Sequence, residues 1–264
     1  MKNYWVMFLA MALAACIGTF VRCALFVFTD ANNIAGTTTL ANAIGCFIVG
    51  LLKQQRSLHS DFVYHIIASG FCGSLTSFSS WQQSSSVLFV TNKYPYGGLL
   101  VLGVGMCLWF GSLYVGMHSS CCGRHFLPIS IAIAVLAAVI LAIFYPLTTK
   151  FYIAILLAPI GSLSRYFLSV YLNHGANGRL GNWYPFGTFA ANCIACIILG
   201  TTLLITKNPT HSVIIGISGT LSTVSTFVSE VDTIKDTTSR QYIFAISSIV
   251  AAQILLLCFN VAVY

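Results

Sequence analysis

Long apolar stretches alternate with short polar segments along the whole chain. A transmembrane helix needs about 20 consecutive, predominantly apolar residues, and this criterion predicts nine spans. They cover residues 4–28, 35–53, 62–90, 96–118, 126–147, 150–173, 182–206, 211–231 and 241–263. The connecting segments are short, so the pattern predicts an all-α membrane protein without a separate soluble domain.

Two of the predicted spans, the third and the eighth, contain the same polar interruption. Residues 70–81 read GFCGSLTSFSSW, and residues 216–227 read GISGTLSTVSTF. A glycine-broken, hydroxyl-rich segment at membrane depth is costly unless it faces a polar cavity or an ion. The repeated pattern therefore predicts a duplicated site in a pore or a transporter.

The duplication extends beyond these segments. The segments IGTFVR and IGSLSR place Arg22 and Arg165 four residues after a glycine. The segments GTTTLANAIGCFIVG and GTFAANCIACIILG align Asn42 with Asn192. Because the matches occur in the same order, we interpret the chain as two homologous repeats of four spans each.

The repeats are predicted to be oppositely oriented. Residues 1–120 form the first repeat and residues 150–264 the second, and residues 121–149 contain one additional span that inverts the second repeat. Loops on the N-terminal side hold seven cations: Lys2, Lys53, Arg56, Arg124, Arg179, Lys235 and Arg240. Loops on the other side hold three: Lys93, Lys150 and Lys207. This excess predicts a cytoplasmic N-terminus, an extracellular C-terminus and a site near the membrane midplane.

Composition narrows the class of function. The chain is 58% hydrophobic and 6% charged, whereas soluble domains are about 25% charged. The net charge of +7 comes from loop Lys and Arg, which serve topology and anionic lipid rather than nucleic acid. The histidines form no HExxH or Cys/His cluster, so we expect no enzyme. The predicted surroundings are the lipid bilayer.

Neutral hydrogen-bond donors are the polar groups predicted at membrane depth. They are Asn42, Asn192, Thr76, Ser77, Ser79, Ser80, Ser222, Thr223, Ser225, Thr226, Ser247 and Ser248. All five acidic residues fall at span ends or in loops, although cation pathways usually need buried acids. A donor-lined path therefore favours a small anion. The alternative for any single hydroxyl is helix–helix hydrogen bonding.

The segments GTTTLANAIG, GFCGSLTSFSSW, GTFAANCIACIILG and GISGTLSTVSTF resemble the signature segments of the CrcB/Fluc fluoride channels. Two inverted copies with a linking span resemble the eukaryotic single-chain fluoride export proteins. The resemblance implies passive, fluoride-selective export across the plasma membrane by a protein that functions as a monomer. A coupled small-anion carrier with the same architecture is the alternative.

The resemblance also implies an ion site and a polar track. A structural sodium ion (Na+) would be bound by the backbone carbonyls of Gly73, Thr76, Gly219 and Ser222. The track would include Asn42, Asn192, Ser80, Thr226, Ser247 and Ser248. Whether Arg22 and Arg165 lie in the pore vestibules or pair structurally stays open.

The aromatic positions depart from the family pattern. In the family, each of two pores takes one phenylalanine from each copy. One pore here would receive Phe78 and Phe227, whereas the other would receive Trp81 and Val224. The positive edge of a phenyl ring can face an anion, and valine has no ring. Gly103 also stands where the second repeat has its track serines. The resemblance thus predicts one working pore and one degenerate pore.

Overall fold

The computed structural model describes residues 2–32, 38–91, 95–119, 125–175, 183–234 and 237–264. Within these ranges all regular elements are helices, and no strand occurs. The predicted all-α class is therefore confirmed. Four of the cations that enter the predicted orientation lie outside the described residues. These are Lys93, Arg124, Arg179 and Lys235.

The first half of the chain forms five helices. They are α1 (Lys2–Ala31), α2 (Thr39–Gln54), α3 (61–75, with a π-helical turn at Ile66–Cys72), α4 (Phe78–Val90) and α5 (Pro95–Ser119). The third predicted span is thus divided into α3 and α4, two short helices separated by extended residues.

The second half repeats this order after one additional helix. Its elements are α6 (Phe126–Phe144), α7 (Thr149–Gly175), α8 (Phe186–Thr206), α9 (212–221, with a π-helical turn at Ile214–Ser218), α10 (Val224–Thr233) and α11 (Thr238–Val263). The π-helical turn and the interruption recur at equivalent positions of the eighth predicted span.

The protein is a multi-pass membrane protein by the length and hydropathy of its helices. Seven helical segments in the described ranges are long and apolar enough to cross a membrane. They are Tyr4–Ala31, Tyr96–Ser119, Phe126–Phe144, Thr149–Asn173, Phe186–Thr206, Ile214–Thr233 and Thr238–Val263. The predicted spans 35–53 and 62–90 correspond to the shorter α2 and to the divided pair α3 and α4. The count of nine crossings stays a prediction.

Equivalent helices of the two halves make equivalent contacts. Helix α1 packs against α3 as α7 packs against α9, and α2 packs against α5 as α8 packs against α11. The halves also interlock, because α4 contacts α11 and α10 contacts α2. One continuous apolar core contains residues of both halves. The restarting helices α4 and α10 are therefore held by the opposite half.

The glycines of the IGTFVR and IGSLSR segments allow close helix contacts. A Cβ at Gly18 would overlap the backbone oxygen of Phe71 in α3, and a Cβ at Gly161 would overlap the backbone oxygen of Ile217 in α9. Each glycine therefore lets the first helix of a half lie directly on the broken helix of that half. Arg22 and Arg165 follow one helical turn later and reach the broken helix of the opposite half.

Helix α6 links the halves and lies at their periphery. Only Leu127 and Ala138 are buried in it, and it packs against α1 and α2. A helix that is apolar all round and exposed in the isolated chain is suited to contact with lipid.

Candidate functional site

Each broken helix is interrupted by two extended residues that carry hydroxyl groups. Thr76 and Ser77 separate α3 from α4, and Ser222 and Thr223 separate α9 from α10. Gly73 is still helical, with φ −65° and ψ −27°. The interruption therefore lies three residues after the glycine, at the hydroxyl pair.

The second hydroxyl of each pair caps the helix that follows. Ser77 Oγ accepts the Ser80 N–H at 3.3 Å, and Thr223 Oγ1 accepts the Thr226 N–H at 3.3 Å. Ser and Thr side chains commonly satisfy the first free N–H groups of a helix in this way. Ser80 and Thr226, both predicted pore residues, thus lie in the first turn of α4 and α10.

The first hydroxyl of each pair reaches the opposite half. Thr76 Oγ1 accepts the Ser225 N–H of α10 at 3.3 Å, and Ser222 Oγ accepts the Ser79 N–H of α4 at 3.1 Å. Thr76 Oγ1 also lies 3.1 Å from Ser225 Oγ, and Ser222 Oγ lies 2.9 Å from Ser79 Oγ. These reciprocal caps bring the hydroxyl-rich segments of both repeats together in the protein interior.

The two aligned asparagines support the interruptions but differ in their amide groups. Asn42 Oδ1 accepts the Ser77 N–H at 2.8 Å, and Asn192 Oδ1 accepts the Thr223 N–H at 2.9 Å. Asn42 Nδ2 lies 3.5 Å from the Ser77 oxygen. Asn192 Nδ2 is buried and has no hydrogen-bond partner among the described residues. Asn192 therefore offers a buried amide donor, whereas the amide group of Asn42 points to a backbone oxygen.

Arg22 is buried and bound to backbone carbonyls. Its Nη1 donates to Gly219 and its Nη2 to Ile215, each at 2.6 Å. Its side chain also borders a cavity of about 320 Å³. Arg22 thus makes the structural pairing that the sequence left open, and it does so at the edge of a cavity.

Arg165 makes the equivalent contacts and adds two more. It donates to the carbonyls of Ser69 and Gly73 in the first repeat, the latter at 2.9 Å. It also donates to the carbonyls of Thr220 and Ser222 in the second repeat. The guanidinium is buried, and it does not line either of the two cavities described below. Arg165 therefore bridges both broken helices.

The carbonyls predicted to bind sodium are largely used by these arginines. Arg165 Nη1 donates to Gly73 and, at 3.4 Å, to Ser222. Arg22 Nη1 donates to Gly219. Three of the four predicted ligands thus already accept hydrogen bonds from cationic groups. The guanidinium groups place positive charge at the oxygen atoms where the sodium ion is predicted, so the arrangement does not fit the predicted sodium site.

Two predicted pore phenylalanines lie side by side. The ring centroids of Phe78 and Phe227 are 5.3 Å apart, and both side chains are fully buried. Phe244 of α11 lies 5.5 Å from Phe227, and Tyr184 lies 5.2 Å from Phe244. The latter two rings were not among the predicted site residues. The sequence could have indicated Phe244, because it precedes the predicted track residue Ser248 by one helical turn.

The predicted track serines lie next to these rings. Ser247 Oγ is 2.8 Å from the Tyr184 hydroxyl, and Ser248 Oγ donates to the Phe244 carbonyl at 2.7 Å. Gly103 would have open space at its Cβ position. The last helix of the second repeat therefore places hydroxyl groups beside these rings, whereas Gly103 of the first repeat has no side chain to offer.

Trp81 and Val224 occupy buried positions with different surroundings. Trp81 Nε1 donates to the Val101 carbonyl at 3.0 Å. Its ring lies edge-to-face against Trp109 and Phe78, at centroid distances of 6.0 and 5.5 Å. Val224 is fully buried. The indole is thus fixed within the first repeat, and its polar N–H is already used.

Two cavities with some polar groups in a mainly apolar lining lie beside the restarting helices. The first, of about 320 Å³, is lined by groups that include Arg22, Thr38, Ser80, Gln83 and Ser84. The second, of about 280 Å³, is lined by groups that include Tyr64, His65, Ser69, Thr226 and Glu230. Ser80 and Thr226 are equivalent in the repeat alignment, so the cavities lie at corresponding places in the two halves.

Glu230 lies at the site, although the sequence pattern did not predict it as a site residue. It lies in the apolar segment Ile214–Thr233, near its end. Its Oε1 accepts a hydrogen bond from the Thr188 hydroxyl at 2.8 Å, and its Oε2 is buried without a hydrogen-bond partner within the described ranges. The repeat alignment places Ser84 at the corresponding position of the first cavity, whose lining contains a different acidic residue, Asp30.

Known proteins similar to this chain include some that match about a third of it and one that matches most of it. A protein of Streptococcus pneumoniae serotype 4 named fluoride-specific ion channel FluC 1 is 33% identical over 106 residues, which cover 37% of this chain and 95% of that protein. A Methanococcus maripaludis protein named fluoride-specific ion channel FluC is 37% identical over 87 residues, covering 31% and 69%. The Candida albicans fluoride export protein 1 is 25% identical over 301 residues, covering 91% and 76%.

The family profile matches both halves of the chain. The profile described as CrcB-like protein, Camphor Resistance (CrcB), matches residues 9–123 and again residues 152–263. These ranges contain both broken helices and leave out the whole of the linking helix α6. No solved structure matches the chain. With two profile matches that together cover most of its length, the chain belongs to the CrcB-like family.

Proposed function

We propose that the protein is a fluoride-selective ion channel that exports fluoride passively across the plasma membrane and so limits fluoride toxicity. Relatives named as fluoride channels and as a fluoride export protein support the substrate. The observation that carries the proposal is the reciprocal capping of the broken helices, because it gathers neutral donors of both repeats in the protein interior.

The chemistry of the site suits a small halide. Fluoride is small and strongly hydrated, so a selective path must replace its water with donors at close range. Hydroxyl groups rotate to donate where needed, and Asn192 Nδ2 is a buried amide donor without a partner among the described residues. A narrow path rejects chloride through its width and through poorer donor fit.

One of the two paths is proposed to conduct. The close pair Phe78 and Phe227 offers two rings to a passing anion, and the edge of a phenyl ring is electropositive. At the equivalent positions, Val224 has no ring and the Trp81 N–H is bound to a backbone carbonyl. The Phe78–Phe227 path is therefore proposed to conduct fluoride, and the Trp81–Val224 path to be degenerate.

The proposed architecture is a monomer of two inverted four-span repeats joined by α6, with nine crossings in all. The N-terminus is proposed to be cytoplasmic and the C-terminus extracellular. With the cell interior negative, the membrane potential contributes about 2.3 kcal/mol per unit charge per 100 mV toward anion exit. The proposed export therefore needs no nucleotide and no coupled ion.

Efflux from liposomes that contain the purified protein tests the function. We expect fluoride, followed with an ion-selective electrode, to leave rapidly when valinomycin and a potassium gradient supply the potential. Chloride should leave no faster than from empty liposomes. Equal fluoride and chloride rates would contradict the proposed selectivity. Efflux that requires an imposed proton or sodium gradient would instead indicate the coupled carrier.

A further inference from the structure

The two buried arginines bind the broken helices unequally. Arg22 donates to two carbonyls of α9 alone. Arg165 donates to two carbonyls of α3 and to two more at the end of the second broken helix. A single guanidinium group thus joins the backbone of both repeats at their interruptions.

The surroundings of Arg165 are electrostatically suited to a cation. Helices α3 and α9 both end at the interruption, and the last carbonyls of a helix carry partial negative charge and lack partners within the helix. Unwound carbonyls at such ends commonly coordinate cations in membrane proteins. The ion pairs that join Lys53 to Asp232 and Arg56 to Asp61 among the described residues do not include Arg165. The charge of Arg165 is therefore balanced by carbonyl dipoles.

The glycine that recurs at equivalent positions of the two repeats, Gly73 and Gly219, has a steric reason. A Cβ at Gly73 would overlap the Arg165 guanidinium, and a Cβ at Gly219 would lie 2.7 Å from Arg22 Nη1. Glycine at these two positions thus leaves the space that each guanidinium occupies. The backbone at the interruptions is shaped around the arginine side chains.

We propose that the Arg165 guanidinium is the central cation that joins the two repeats, and that no sodium ion binds at this place. The planar guanidinium donates several hydrogen bonds in a fixed geometry, and its Nη1 lies 2.9 Å from the Gly73 oxygen and 3.4 Å from the Ser222 oxygen, where sodium would bind. A second cation beside it would be repelled in a medium of low dielectric constant. The proposal concerns the cation that holds the fold, so it goes beyond the proposed conduction of fluoride.

Thermal unfolding of the purified wild-type protein in detergent tests the proposal directly. The midpoint is compared in sodium chloride and in N-methyl-D-glucamine chloride at equal ionic strength. We expect the two midpoints to agree within about 1 °C. A sodium ion bound only to the folded protein would raise the midpoint as its concentration passes the dissociation constant. A saturable rise with sodium would therefore overturn the proposal.

Two matched variants test whether the response of the unfolding midpoint to sodium depends on Arg165. Arg165→Gln should lower the midpoint and gain stabilisation by sodium, because it frees carbonyls of both broken helices. Arg22→Gln, at the equivalent position, should lower the midpoint without a sodium response, because Arg165 still occupies the centre. Equal sodium responses in both variants, or none in Arg165→Gln, would contradict the assignment.

A further variant covers the case in which Arg165→Gln cannot be purified as a folded protein. If Arg165→Gln does not fold, Arg165→Lys keeps the charge but loses the planar fork, and it should unfold at a lower midpoint that is insensitive to sodium. A sodium-dependent midpoint in Arg165→Lys would contradict the proposal. A wild-type protein that unfolds independently of sodium but shows no fluoride efflux would refute the proposed function and leave this inference intact.

Discussion

Equivalent side chains in the two repeats have taken different partners. Asn42 directs its amide toward the backbone, whereas the amide of Asn192 has no partner within the described ranges. Trp81 donates to a carbonyl of α5, whereas Phe227, at the equivalent position, contacts Phe78 of the opposite half. The repeat alignment turns these differences into matched experiments, because each residue has a natural control in the other half.

Phe227→Leu should slow fluoride efflux by about two- to tenfold, whereas Trp81→Leu should leave it unchanged. Leucine keeps an apolar side chain but lacks a ring, and a ring contact contributes roughly 0.5–1.5 kcal/mol, where about 1.4 kcal/mol corresponds to tenfold. Efflux from liposomes containing equal amounts of folded protein measures the effect. Equal losses in the two variants would refute the single conducting path.

The broken helices α3–α4 and α9–α10 are the elements on which both halves depend. Each supplies one hydroxyl to its own restarting helix and one to that of the opposite half. A buried N–H group that loses its acceptor costs free energy. The stability of each helix start is therefore coupled to the other half.

Thr76→Val should lower the free energy of unfolding by about 1–3 kcal/mol. Valine has nearly the shape of threonine, but it leaves the buried Ser225 N–H without its acceptor. Chemical denaturation in detergent micelles measures the change. Thr206→Val is the control, because the exposed Thr206 hydroxyl bonds only to its chain neighbours, the Thr202 carbonyl and the Asn208 N–H, and its loss should cost less than about 0.5 kcal/mol. A similar cost in both variants would contradict the coupling.

The sequence predicted the existence and place of these elements better than the cause of their interruption. Hydropathy and the repeated Gly-Ser-Thr pattern identified both broken segments, because these signals are local. The pattern attributes the break to glycine, yet Gly73 is helical and the chain becomes extended at Thr76 and Ser77. The reason is that hydroxyl groups from both repeats satisfy the restarting backbone, and this pairing joins residues far apart in sequence.

The partners of the arginines could not be predicted for the same reason. The sequence shows Arg22 and Arg165 one helical turn after a glycine, but their acceptors lie 55 to 197 residues away. Only the tertiary packing, which brings the Arg22 and Arg165 side chains to the broken helix of the opposite half, determines those contacts. The pairing of Phe78 with Phe227 came from family resemblance, and the rings do lie together. Their role in conduction stays a prediction.

At the scale of the whole molecule, two homologous halves share one core and one set of interruptions. The core cluster contains residues from α1 through α11, and α6 packs at the edge. An added helix between two four-span repeats reverses the orientation of the second. The proposed architecture therefore predicts on which side of the membrane each terminus lies.

Epitope tags at the two termini should lie on opposite sides of the membrane. We expect an antibody to reach the C-terminal tag on intact cells, because nine crossings are an odd number, and to reach the N-terminal tag only after permeabilisation. Detection of both tags in permeabilised cells is the control. Two tags that are accessible from the same side would contradict the inverted arrangement.

The exchange of hydroxyl groups between the halves has a consequence for biosynthesis. When the ribosome has completed residues 1–120, the Ser79 N–H still lacks Ser222, which is synthesised more than a hundred residues later. The early half must therefore wait in the membrane as an incomplete intermediate, exposed to quality control, until translation nears its end. A premature stop codon shortly before Ser222 would consequently damage the half that had already been made.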